Sequence, residues 1–285
     1  MNPISDRRGP LSMRYLVLFI TLLSIPSFLS AAPKEKPHLK ATLISETTSI
    51  RPGQPVTLAF HFQMDEGWHI YWRNPGDSGQ APSITWILPK GFKAGEILWP
   101  FPKRIELPQL ADYGYDGELL VMVPVQVPPR LEPGKRVALS AQVKWLVCHD
   151  VCIPGQALLK LNLPIRDIKP KPNRKWPSLF AETRKRLPKV LPYAWKPGGI
   201  LDGKDFNLFI ETDRVISKAQ FFPLFPNQIE NAAPQNFQFS GKSFQLTLKR
   251  SDHLIADVKT LDGLLVTEEK EGEKSYWVNI PLTVK

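Results

Sequence analysis

The chain has 285 residues, of which 29 are proline and only two are cysteine, with a formal net charge of +10. Two cysteines exclude a disulfide-scaffolded fold at this length. Lysines and arginines are scattered rather than clustered with aromatic residues, so the charge reads as a solvated surface and no nucleic acid is expected as a partner.

Arg7, Arg8 and Arg14 precede an apolar run from Tyr15 to Leu29 that ends in Ser30, Ala31 and Ala32. That order is a secretory signal peptide, expected over residues 1–32 with cleavage near Ala32. The run is shorter than the roughly 20 residues a spanning helix needs, and Pro26 interrupts it. Met13, directly before Arg14, is an alternative start that leaves export unchanged. Both cysteines lie beyond the leader, in a compartment that permits disulfides.

After the leader, apolar and polar residues alternate. Val56, Leu58, Phe60, Phe62 and Met64 form one such row, Val137, Leu139, Ala141, Val143, Trp145 and Val147 a second, and Ala157, Leu159, Leu161 and Leu163 a third. Period two puts each row on one face of a strand, and turns such as Arg51-Pro52-Gly53 and Glu132-Pro133-Gly134 separate them. From Pro170 to Pro197 prolines and basic residues flank Ser178–Leu187, which predicts a short helix capped by Ser178 and stopped at Pro188. Alternation resumes at Phe206, Leu208 and Ile210, at Phe244, Leu246 and Leu248, and at Tyr276, Val278 and Ile280. The expectation is an all-β chain of two immunoglobulin-like β-sandwich domains, residues 33–168 and 199–285, joined by a linker with one short helix over 169–198. No internal repeat is visible.

Chemistry concentrates in Cys148-His149-Asp150-Val151-Cys152, at the predicted turn between the second and third rows. A hairpin end brings such cysteines within disulfide reach. Cys148 falls on the parity opposite to the apolar row, which predicts an accessible sulfur. Three readings stand. A staple over so short a loop stabilises by about 2 kcal/mol, against nearly 5 for a loop of about a hundred residues, so a staple would do better bridging distant strands. Exposed, closely spaced pairs suit thiol-disulfide exchange. Cys148, His149 and Cys152 also offer two thiolates and an imidazole to copper or zinc, although no fourth ligand is near. His149 either lowers a thiol pKa or is a solvated turn residue. Trp68, Trp72, Trp86 and Trp99 are ordinary core or interface candidates. The Asn74-Pro75-Gly76-Asp77-Ser78-Gly79 run reads as a loop, too irregular for a phosphate cradle.

Four stretches carry a family resemblance: Gly67 to Gly79, Leu98 to Pro102, Asp112 to Glu118 and Trp145 to Gly155. Together they resemble the periplasmic N-terminal domain of the DsbD family of thiol:disulfide interchange proteins, in particular its ScsB-like branch. The resemblance spans Pro37 to Pro164. It implies a periplasmic immunoglobulin-like domain, without a cofactor, acting as a protein-disulfide reductase component. Its partners would be a membrane-embedded thiol reductase, encoded separately, and oxidised clients such as disulfide isomerases or thioredoxin-like proteins of cytochrome c maturation. It further implies that Cys152 forms the mixed disulfide and Cys148 resolves it. A cap loop with aromatic residues, matched by Asp112, Tyr113 and Tyr115, would cover the pair, and His69 and Tyr71 would line the site. Spacing between the cysteines differs from that of the best-known family member. The alternatives are a copper- or zinc-binding metal-tolerance module on the same thiols and a non-catalytic interaction domain.

Overall fold

A computed structural model describes residues 37–254 and 258–285, so the expected signal peptide lies outside the described residues. The first ten strands are β1 (Leu39–Ser45), β2 (Val56–Met64), β3 (His69–Gly76), β4 (Ser83–Ile87), β5 (Lys93–Ala94), β6 (Lys103–Glu106), β7 (Ala111–Asp116), β8 (Glu118–Gln126), β9 (Arg136–Cys148) and β10 (Cys152–Pro164). They build a four-stranded sheet, β1-β2-β8-β5, and a six-stranded sheet, β10-β9-β3-β7-β6, with β4 alongside β9. Side chains that alternation points inward fill the space between them. Leu58, Phe60 and Phe62 of β2 and Leu139, Ala141 and Val143 of β9 are all sealed from solvent and share one core. Burying a side chain of this size contributes about 1.5–3 kcal/mol, which favours the register that keeps each row inward.

The opposite face of the four-stranded sheet is also covered. Helix α1 (Pro177–Lys185) lays Phe180 on Ile44, Ala59, Leu120 and Met122. Arg184 clamps the helix with two hydrogen bonds, 2.6 and 2.7 Å, donated to the carboxylate of Glu46 just past β1. The predicted Ser178 cap is corrected: Ser178 sits inside the helix, Pro177 takes the first turn, where a missing N–H costs nothing, and Trp176 precedes it without a side-chain cap bond.

The remaining strands are β11 (Lys189–Val190), β12 (Lys196–Asp202), β13 (Asp205–Glu211), β14 (Lys218–Pro223), β15 (Asn236–Ser240), β16 (Ser243–Lys249), β17 (Thr260–Glu269) and β18 (Gly272–Val284). β18 pairs antiparallel with β17 and, further along, parallel with β12, so eight strands share one ladder around a core that includes Phe206, Leu208, Ile210, Phe244, Leu246 and Ile280. The fold is all-β with immunoglobulin-like sandwiches. No helix among the described residues is long and apolar enough to cross a membrane.

Both halves lie within one compact unit, Pro37–Lys285. Phe222 of β14 inserts its ring between Trp72 and Tyr113, edge-on to both at centroid distances of 6.4 and 5.1 Å. Phe222, Leu264 and Val266 thereby belong to the core of the first half. Polar contacts close the same junction. Asn74 donates to the Pro223 carbonyl at 2.8 Å, and Arg104 donates to the Asn231 carbonyl at 2.9 Å.

Candidate functional site at the tip of the β9–β10 hairpin

β9 and β10 pair from Arg136 opposite Pro164 to Cys148 opposite Cys152, leaving His149, Asp150 and Val151 as the connection. His149 N–H donates to the Val151 carbonyl at 3.1 Å and closes the turn. The facing cysteines are joined by a disulfide, with S–S 2.05 Å and Cα–Cα 4.1 Å.

Strand parity puts the pair on the outer face of the six-stranded sheet, away from the core. The outward parity expected of Cys148 holds, but the accessible sulfur expected from it does not. Cys152 is exposed, but Cys148 is 1% exposed and is corrected to a buried sulfur. The cause is tertiary cover. His69 is the cross-strand neighbour of Cys148 on β3, and Tyr71 stands two residues on, on the same face. The turn Leu107–Leu110 between β6 and β7, closed by Leu107 N–H donating to the Leu110 carbonyl at 3.0 Å, forms the far wall. The sulfurs therefore sit in an open depression of about 580 Å3 lined by His69, Tyr71, Asp112, His149 and this turn.

Tyr71 is 1% exposed and its hydroxyl lies 3.7 Å from Cys152 Sγ. Burial, reinforced by the nearby Asp112 carboxylate, pushes its pKa up to about 12, so it remains a hydroxyl donor at any physiological pH. Asp112 is fully buried and accepts two hydrogen bonds from Ser78, 2.8 Å from the N–H and 2.6 Å from the hydroxyl. Burial raises its pKa, while the Ser78 bonds act in the opposite direction. His69 packs edge-on to Tyr71 at 5.4 Å, and its Nε2 is buried without a hydrogen-bond partner. Burial lowers its pKa against the pull of Asp112 and Asp116, with His149 adding to the lowering.

Two candidates leave the site. Tyr113 and Tyr115 do not cap the disulfide, and residues 112–115 are not a loop: they lie in β7, where alternation turns both tyrosines inward and only Asp112 toward the sulfurs. The Tyr113 hydroxyl donates to Asn231 Oδ1 at 2.7 Å, and the Tyr115 hydroxyl to the Pro100 carbonyl at 2.7 Å. His149 stays at the rim, its Nδ1 3.0 Å from Asp150 Oδ2 and its ring 5.9 Å from that of Trp68. The metal set Cys148, His149 and Cys152 is not assembled, because the two sulfurs are bonded to each other. Among the described residues no group of three or more His, Cys, Asp or Glu side chains could hold a metal ion.

Sequence reasoning missed Ser78 and the Leu107–Leu110 turn. The available signal was the glycine-flanked run after β3. Gly76 has φ +91° and the Ala111 carbonyl only 2.4 Å from where a Cβ would stand, and Gly79, at φ +78°, lies so close to the Tyr71 ring that a Cβ would fall 2.0 Å from it. Only glycine permits that backbone and that approach.

Residues 40–164 match the family model described as thiol:disulfide interchange protein DsbD, N-terminal. Among solved structures, the N-terminal periplasmic domain of ScsB from Proteus mirabilis aligns with a TM-score of 0.64 at 16% identity, covering 88% of this chain and 96% of that one. BcpA, the major pilin subunit of Bacillus cereus, is a much weaker match, with a TM-score of 0.27 at 9% identity over 88% of this chain and 70% of its own. A sequence comparison with curated proteins returned no match.

Proposed function

Residues 40–164 match the model of the DsbD N-terminal family, and from that match we propose that this chain is a periplasmic thiol-disulfide exchange protein that works through Cys148 and Cys152. One observation carries the reading. A single disulfide at a hairpin tip presents one sulfur, Cys152, to solvent and keeps the other, Cys148, beneath His69, Tyr71 and the Leu107–Leu110 turn.

Exchange is in-line attack of a thiolate on a disulfide sulfur. A donor thiolate attacks Cys152 Sγ, the Cys148–Cys152 bond breaks, and Cys148 leaves with the electron pair and takes up a proton. The donor's second thiolate then attacks the donor sulfur of the mixed disulfide and expels Cys152 as a thiolate. The donor ends as a disulfide, and this chain holds two additional electrons. Toward an oxidised client the same steps run in reverse, with Cys152 attacking and Cys148 resolving. The Tyr71 hydroxyl is placed to donate to the Cys152 thiolate whenever it forms. The donor is a membrane-embedded thiol reductase, and the clients are disulfide isomerases or thioredoxin-like proteins of cytochrome c maturation.

Paired cysteine variants test this. With Cys148→Ser, the mixed disulfide formed by Cys152 has no resolving thiol, so adducts accumulate and are visible on non-reducing electrophoresis of periplasmic extracts. With Cys152→Ser, the buried Cys148 gives few. Absence of adducts from both variants overturns the assignment.

A further inference from the structure

The sequence of the C-terminal half offers no catalytic motif, yet one of its residues is tied to the disulfide site by a chain of hydrogen bonds. Asn231 lies between β14 and β15, is 5% exposed, and uses every polar group of its side chain on the first half. Its Oδ1 accepts from the Tyr113 hydroxyl at 2.7 Å and its Nδ2 donates to Asp77 Oδ1 at 2.7 Å. The other oxygen of Asp77 accepts from the Ala111 N–H at 2.8 Å, the residue before Asp112. Ser78, next in the loop, holds Asp112 through two bonds, and Gly79 lies against the ring of Tyr71, whose hydroxyl touches Cys152. Segment 74–79, expected to be all loop, is the end of β3 followed by a loop from Asp77, and it runs from the inter-half junction, where Asn74 is bound to Pro223, to the sulfurs.

We propose that Asn231 is a positioning residue for the Cys148–Cys152 site, holding the loop from Asp77 to Gly79 so that Gly79 backs the Tyr71 ring and Ser78 keeps Asp112 beside the sulfurs. The C-terminal half is then part of the redox site's framework. This role rests on the exchange reading above. Tyr113 contributes through Asn231 from the inner face of the sheet, out of reach of any attacking thiol.

The test measures the rate at which dithiothreitol reduces the disulfide in the purified whole chain, by quenching and alkylating at intervals, with thermal unfolding recorded in parallel. Asn231→Ala removes both side-chain hydrogen bonds, frees the loop and speeds reduction at least about fivefold, the shift in an open–closed equilibrium that loss of even one ordinary hydrogen bond produces. The reciprocal pair Asp77→Asn with Asn231→Asp reverses the direction of the 77–231 hydrogen bond, leaves the carboxylate at 231 to accept from Tyr113 and the amide oxygen at 77 to accept from the Ala111 N–H, and returns the rate to within about twofold of the parent. A folded Asn231→Ala chain whose rate rises less than about threefold overturns the proposal. So does a reciprocal pair as fast as the single variant. Where Asn231→Ala does not fold, Tyr113→Phe decides: it removes only the hydroxyl, and a rise of less than about twofold overturns the proposal. Failure of the exchange reading shows instead in the otherwise unaltered chain, as an absence of Cys148→Ser adducts.

Discussion

The Tyr71 hydroxyl lies 3.7 Å from Cys152 Sγ, on the one sulfur of the pair that solvent reaches. A phenol held neutral up to about 12 is a donor throughout the range in which thiols ionise. In the reduced chain it therefore favours the Cys152 thiolate over the thiol. Tyr71→Phe removes that donor and keeps the ring, so the midpoint for alkylation of Cys152 by iodoacetamide rises by about 0.5–1 pH unit. An unchanged midpoint would mean that the hydroxyl is only a lid.

His69 gives the chain an acid-sensitive spot. Burial is the main cause of its lowered pKa; His149 adds to it, and Asp112 and Asp116 oppose it. Because the unfolded chain binds the proton more readily, the stability contributed by neutral His69 is complete above about 6.5 and is lost as pH falls through the lowered folded value. Asp112 works with the opposite sign: its raised pKa costs stability as pH rises above the ordinary carboxylate value. His69→Leu abolishes the first effect and removes a buried nitrogen without a partner, so it gains about 1 kcal/mol at pH 7. Urea unfolding at pH 7, 6 and 5 checks this; equal slopes for parent and variant would refute it.

The alternating rows were legible because a side chain's face in a strand is a local property, and Leu58, Phe60, Phe62, Leu139 and Val143 are all buried as their parity requires. Parity also placed Cys148 on the outer face. It could not show that this face is covered, since the cover comes from Tyr71 and the Leu107–Leu110 turn, distant in the chain. The stretch Asp112 to Tyr115 failed differently. The resemblance implies a cap loop there, whereas Ala111, Tyr113 and Tyr115 alternate with Asp112 and Gly114, a strand pattern that turns the tyrosines inward. Asn231 had no local signal at all, because its partners Asp77 and Tyr113 stand more than a hundred residues earlier in the chain.

Gly79 limits how the Tyr71 ring can be held. An added Cβ would fall 2.0 Å from the ring, and φ of +78° disfavours any other residue. Gly79→Ala must move either the loop or the ring, at a cost of about 1–3 kcal/mol. Thermal unfolding then shifts down, and dithiothreitol reduces the disulfide faster because Cys152 loses its neighbour. Unchanged reduction in a destabilised variant would show that the loop yields and the ring stays.

Phe180 separates stability from site geometry. Its ring is 1% exposed, under α1 on the outer face of the four-stranded sheet, whereas the disulfide belongs to the six-stranded sheet. Truncation to alanine leaves a cavity among Ile44, Ala59, Leu120 and Met122, with an expected loss of about 3–5 kcal/mol. What remains to hold the helix is the partly buried Trp176, Leu179 and Leu187, the Arg186 hydrogen bond to the Phe101 carbonyl and the Arg184–Glu46 pair, and a partly exposed pair supplies only about 1 kcal/mol or less. Phe180 and its apolar neighbours pack on the other sheet from the Asp77–Gly79 loop and the turn at Leu107, so Phe180→Ala lowers the denaturation midpoint while the reduction rate of the folded chain stays at the parent value. A faster rate in that variant would mean that the linker helix, and not only the Asn231 contacts, keeps the site closed.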